Sequence, residues 1–210
     1  MADWYRCQTW SKTDEENFFI KLNRAKKDNR AQYLKIQAVE LVETKDLKLL
    51  DVAETLLQKM LIDYPGEKIF RAEALRTLGD IYKIRNDYDK AISYYKEALD
   101  FEKKFPETET NAYLGYSELV IKTNLTSLFP KVERILKKQE PELFLPEEKY
   151  KVYCMLAILS KYRNLPKKAG QYAKLAEENA GAKKSGLRYH KDLGLVDNRD
   201  EWLDREAGLI

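Results

Sequence analysis

The chain has 210 residues, 44% hydrophobic and 35% charged, with 38 lysines and arginines against 35 acids and a net charge of +3. That excess is small and its signs are interspersed, so it does not by itself mark a nucleic-acid binder, and eight glycines and six prolines are few for an all-β fold with many tight turns. Cys7 and Cys154 make no disulfide framework, and MADWYRCQTWSK has no apolar signal region, so a reducing cytoplasmic setting without membrane spans is expected.

Helical periodicity runs along nearly the whole chain. Thr13 to Glu16 has the form of a capping box, opening a helix with Phe18, Phe19, Leu22 and Ala25, which Asn29-Arg30 interrupts. A second helix carries Leu34, Ala38 and Leu41. A third pairs Val52, Ala53, Leu56, Leu57, Met60 and Leu61 at four-residue intervals and ends at Pro65-Gly66. Leu75, Leu78, Gly79 and Tyr82 stand at i, i+3, i+4 and i+7, and beyond a turn at Asn86-Asp87 the residues Ala91, Ile92, Tyr95, Ala98 and Leu99 repeat that geometry. FPETET leads to a helix over Asn111–Lys122, and Pro130 suits the start of one bearing Val132, Ile135 and Leu136. After the loop PELFLP come Tyr150, Tyr153, Leu156 and Ala157, then Pro166, Ala169, Ala173 and Ala176. The chain turns irregular beyond Gly181, and a short helix over Glu201–Ala207 closes it.

Gly79 is the oddity. A glycine inside a helix costs about 1 kcal/mol against alanine, so something must require it. Close approach of two antiparallel helices is such a requirement: Gly79 and Ala91 are expected to face each other, with Tyr82 and Tyr95 filling the space on either side and Ala98 continuing the seam.

The spacing Leu75-x2-Leu78-Gly79-x2-Tyr82, then Ala91-x3-Tyr95 and Ala98, resembles the tetratricopeptide repeat. Leu75 departs from the family's large aromatic, and the closing proline, Pro106, comes late. Weaker copies carry Ala53, Leu57, Met60 and Pro65, and Ala157, Ala169, Ala173 and Ala176; a drifted one begins at Leu114-Gly115 with Ser127 in the alanine slot. The separation from Ala53 to Ala91 exceeds the family period of about 34. The start and FFIKLNRAKKDNRAQYLKIQA are similar to bacterial proteins of this repeat type. The resemblance implies an all-α, right-handed superhelical solenoid of antiparallel helix pairs. It would hold about four repeats, at 31–66, 67–105, 106–140 and 146–179. An aromatic strap and capping helix at 1–30 (Trp4, Tyr5, Trp10, Phe18, Phe19) and a C-terminal cap at 180–210 (Trp202, Leu203) would close one single domain.

No constellation carries catalysis. His190 has no cysteine or second histidine at metal-ligand spacing, Cys154 lies mid-helix among apolar residues, and neither a phosphate loop nor a nucleophile elbow occurs, so no enzyme, cofactor or metal is expected. The resemblance implies instead a protein-interaction module that lays a partner's peptide or helix in a concave groove. The family's groove positions fall on Ala38, Val42 and Lys45, on Glu73, Arg76, Asp80 and Lys83, on Tyr116 and Val120, and on Ile158 and Lys161. A second reading is an inhibitor or immunity-type protein that neutralises one toxin or enzyme. A third is a helical-repeat RNA binder, using Lys26, Lys27 and Arg30 or Lys183, Lys184, Arg188 and Lys191 with Tyr189. The acids Asp192, Asp197 and Asp200 favour a solvated turn for that last cluster, so nucleic acid is not the expected partner. A monomer or weak homo-oligomer is expected.

Overall fold

In the computed structural model, which describes residues 3–210, Ser11 rather than Thr13 opens the first helix, α1 (Lys12–Arg24). Ser11 is extended, its hydroxyl accepts from the Asp14 amide at 3.2 Å, and its own amide donates to Asp14 Oδ2 at 2.8 Å. This is a capping box two residues upstream of the expected one, and those bonds, that from the Ser11 backbone first, hold the Asp14 carboxyl below its ordinary value. The break after α1 lies at Ala25-Lys26, so Asn29 and Arg30 belong to the first turns of α2 (Lys27–Glu43). Arg30 reaches back to the Ala25 and Asn23 carbonyls at 3.0 and 2.6 Å, satisfying acceptors at the end of α1.

The residues before α1 lie against α2. Gln37, fully buried on α2, holds Cys7 by both edges of its amide: Oε1 accepts from the Cys7 amide at 3.0 Å and Nε2 donates to the Cys7 carbonyl at 2.6 Å. Arg6 pairs with Glu40 at 2.5 Å. Tyr5 stacks on Tyr33 at 4.5 Å, and Trp4 and Trp10 meet Phe18 at 5.4 and 5.3 Å. Residues 1 and 2 of the predicted strap lie outside the described residues.

Helices then come in pairs: α2 with α3 (Leu47–Asp63), α4 (Lys68–Ile84) with α5 (Tyr88–Lys104), and α8 (Pro146–Tyr162) with α9 (Pro166–Ala180). Between α5 and α8 lie α6 (Ala112–Lys122) and α7 (Phe129–Gln139). The turn after the first helix of each successive pair carries one left-handed residue: Lys45, Asn86, Asn124 and Asn164, with φ of 57°, 60°, 54° and 55°. Asparagine tolerates this region better than most residues. At the three asparagines the hydrogen bonds are the same: Asn86, Asn124 and Asn164 donate three residues back, and Asp87, Leu125 and Leu165 donate five residues back. That is the Schellman closure of a helix. At Lys45 the second bond is replaced, because the Asp46 amide donates to the Thr44 hydroxyl. The excess over a 34-residue period is explained by the 17-residue length of α2, α3, α4, α5 and α8.

The chain divides into two compact units, one up to Tyr116 and one of Ser117–Ile210, with the division inside α6. The core of the first unit gathers Phe18, Leu22, Leu34, Ala38, Leu41, Ala53, Leu57, Met60, Ala74, Leu78 and Ile81. Its first two hairpins are joined by a polar contact. Tyr82 on α4 donates to Glu54 on α3 at 2.6 Å, and Arg85 donates to the other Glu54 oxygen at 2.5 Å. Burial alone would raise the Glu54 carboxyl, but the bonds from Arg85 and Tyr82 outweigh it and hold it low. Chiefly through the Glu54 bond, the Tyr82 phenol is pushed up to about 12. A raised phenol stabilises the fold fully below the ordinary tyrosine value and loses that contribution as pH rises through the folded one. Wild type is therefore expected to lose urea resistance between about pH 10 and about pH 12, and Tyr82→Phe to lose less over the same window. Equal losses in the two proteins would show that Tyr82 is not the group responsible.

In the second unit, α10 (Glu201–Ala207) covers α8 and buries Leu203 and Ala207. Arg199 forks onto both Glu177 oxygens at 3.0 and 2.7 Å and onto Asp204 at 2.6 Å, while Tyr150 donates to the other Asp204 oxygen at 2.8 Å. Asp204 is only 4% exposed. The Asp200 carboxylate caps α10 at the Leu203 amide. Cys154 beneath this network is fully buried, and burial pushes its thiol up to about 12, so it stays protonated near neutral pH.

Candidate partner-binding surface

The reason for Gly79 is an aromatic ring. A Cβ built on Gly79 would lie 2.5 Å from Cε1 and 2.6 Å from Cδ1 of Tyr95, so the glycine accommodates Tyr95, not Ala91 as expected from the sequence. Gly115 on α6 leaves room for the opposite edge of the same ring, where a Cβ would stand 2.7 Å from Cε2. The ring is thus held between two bare helix backbones, and its hydroxyl donates to Asp80 Oδ1 at 2.5 Å. Asp80 Oδ2 takes a bond from Arg76 at 2.5 Å. One helical turn earlier, Glu73 pairs across to Lys35 of α2 at 2.5 Å, and the Lys35 ammonium stands 5.8 Å from the Phe70 ring.

The residues that the family resemblance assigns to a groove therefore separate into kinds. Glu73, Arg76, Asp80 and Lys83 are half-exposed on α4, with Glu73, Arg76 and Asp80 joined in ion pairs that present a face of mixed charge. Lys45 is exposed in the α2–α3 turn. Ala38, Val42, Tyr116 and Val120 differ from the expectation: they are 0%, 9%, 1% and 0% exposed and cannot meet a partner in this conformation. In the first unit the cause is the packing of α2, which has α1 and the strap, α3 and α4 around it, so its counterparts of the exposed α4 positions become core. Of the helix-contact residues, Tyr82, Ala91, Tyr95 and Ala98 are buried alongside Gly79.

Ile158 and Lys161 lie together in the second unit, on the wall of a cleft of about 400 Å³. Phe129, Tyr162 and Trp202 supply its aromatic surface, and Phe129 and Tyr162 meet edge to face at 4.9 Å. Tyr162 is 56% exposed. Lys161 donates to the Glu206 carbonyl at 2.8 Å at the end of α10, and Lys122 stands 5.5 Å from the Trp202 ring. A second hollow, lined by Thr126, Pro130, Glu133 and Arg163, shares the Phe129 and Tyr162 walls. Sequence reading misses this cleft because its walls come from four separate segments. Trp202 reads only as a cap, and nothing in the spacing brings it to Ile158.

Among the described residues, no group of three or more histidines, cysteines and acids is placed to hold a metal ion, and no helix is long and apolar enough to cross a membrane. The tetratricopeptide repeat family model matches residues 72–105, nearly the α4–α5 hairpin. No curated protein and no solved structure matches the chain. Repeats of this family serve generally as protein–protein interaction scaffolds and are typically non-catalytic. The chain thus carries a tetratricopeptide repeat at residues 72–105, set among further helix pairs whose left-handed turns recur.

Proposed function

We propose that the chain is a non-catalytic interaction module and that its second unit seats a peptide or helix of a partner protein in the cleft beside α8. The observation that carries this reading is the meeting of Ile158 and Lys161, two positions on a first helix of a hairpin, with three aromatic rings around a solvent-open cleft. An apolar anchor on the partner would fill the space between Phe129, Ile158, Tyr162 and Trp202. The Lys161 ammonium has three donors and uses one on Glu206, so an acidic group beside the anchor matches it.

Peptides selected from a random display library against the full chain test this. They should slow hydrogen exchange along α8 and lose affinity by about tenfold or more for the Ile158→Glu protein, whose fold is checked by circular dichroism. Selected peptides that bind Ile158→Glu as well as wild type would reject the cleft as the seat.

A further inference from the structure

The strap ahead of α1 is held as a bound peptide is held. Residues 3–10 form no helix, and none of them is fully buried: Trp4, Tyr5, Cys7 and Trp10 are half-buried, and Asp3, Arg6, Gln8 and Thr9 are exposed. Among the described residues the strap backbone bonds to no helix backbone; the Arg6 amide turns back to the Asp3 carbonyl at 3.0 Å. Side chains of α2 make the attachment instead. Tyr33, Gln37 and Glu40 stand at i, i+4 and i+7, a single stripe of that helix, and all three engage the strap.

The centre of the stripe reads a peptide unit. Gln37 gives its donor and its acceptor to the carbonyl and amide of one residue, Cys7, whose thiol turns away to the Trp4 carbonyl at 3.6 Å. Neither a phosphate nor a lipid tail offers that donor and acceptor together. The flanks select side chains. Tyr5 stacks on Tyr33, which Trp4 also meets edge-on at 5.0 Å. The Arg6 guanidinium, 5.9 Å from the Tyr5 ring centre, pairs with Glu40, whose side chain is only 15% exposed. A strap that only sealed the core would set apolar side chains against its centre. Here the centre is an amide, fully buried while covered, which water satisfies when the strap leaves. The apolar loss on leaving falls at the rim, on Phe18, which Trp4 and Trp10 shelter.

We infer that the Tyr33, Gln37 and Glu40 stripe of α2 is a peptide-recognition site filled by the chain's own residues 3–10, and that an extended segment of a partner protein, bearing an aromatic pair followed by arginine, exchanges with the strap. The main-chain clamp tolerates any residue at the position of Cys7, while the stacked rings and the Arg6–Glu40 pair fix what precedes it. The site belongs to the first unit and is independent of the α8 cleft, so its failure leaves that proposal untouched.

The test is fluorescence anisotropy of a labelled synthetic peptide of residues 3–11, carrying Cys7→Ser, titrated with the full chain. The resident strap competes at high effective concentration, so wild type binds the peptide weakly. Tyr5→Ala with Arg6→Ala in the chain loosens the strap without touching the receiving stripe, and the apparent affinity for the peptide rises about tenfold. Adding Gln37→Met, close in volume, removes that gain while circular dichroism stays that of wild type. A charge exchange gives a second readout. The peptide with Arg6→Glu binds the loosened chain about tenfold more weakly, and Glu40→Arg in that chain restores it. No binding by the loosened chain, equal binding by wild type and the loosened chain, binding that survives Gln37→Met, or indifference to the charge exchange would each overturn the inference. Dimers of wild type that the free peptide dissolves would overturn the assignment to a partner protein, since a second copy would then be the occupant.

Discussion

Gly79→Leu is expected to lower the unfolding free energy by about 3 kcal/mol, and Gly79→Ala by about 1–2 kcal/mol, read from urea midpoints at constant slope. Alanine ordinarily gains about 1 kcal/mol over glycine in a helix, so a net loss requires the clash to win. It wins here because the ring has no direction of retreat. A Cβ on Gly79 would lie 2.5 Å from Tyr95, the far edge of the ring lies against Gly115, and the hydroxyl is held by Asp80. The double substitution makes this sharper than a stability measurement alone. In a Tyr95→Ala background, Gly79→Ala should become neutral or stabilising, since only the helix propensity remains. If Gly79→Ala costs the same with and without the Tyr95 ring, the ring does not explain the glycine. Gly115→Ala should behave likewise.

Arg199→Met is the second large effect, at about 3 kcal/mol, because it strands a buried carboxylate. Asp204 is 4% exposed and keeps only the Tyr150 hydroxyl once the guanidinium is gone. Burial, and then the bond to Asp204, already raise the Tyr150 phenol above its ordinary value, so that hydroxyl is a committed donor and cannot take over the lost positive charge. The loss should concentrate on α10, which would exchange amide hydrogens faster, while α4 and α5 keep their protection. Pairing Arg199→Met with Asp204→Leu should recover much of the cost, since no buried charge is left unpaired and the Tyr150 hydroxyl still accepts from the Asp200 amide at 3.1 Å. A double variant no more stable than Arg199→Met alone would show that the network is not what holds the cap.

How much of this was legible depends on the range of the signal. The helices read clearly because their apolar residues recur within each segment, and the closing helix at Glu201–Ala207 lies where its sequence places it. Boundaries set by a single side chain were harder. Ser11 and Thr13 both offer a hydroxyl three residues ahead of an acid, and only the extended backbone at Ser11 decides between them. The asparagines at 86, 124 and 164 were a usable repeat signal: each ends the first helix of a pair in the same left-handed turn, and two of them lie in hairpins whose small-residue pattern had weakened.

By itself the sequence determined an all-helical chain with a tetratricopeptide hairpin at its centre, a need for close approach at Gly79, and a lack of any recognisable catalytic motif, all of which follow from spacing within a few turns of helix. Tertiary structure alone decided what approaches Gly79, which resemblance-assigned positions are core, and that Ile158, Lys161 and Trp202 share a cleft. The physical reason is that periodicity gives each helix a buried side but not the neighbour that covers it. Ala38 and Val42 look like the half-exposed Arg76 and Asp80 in register, and only the strap, α1 and α4 packed around α2 turn them inward.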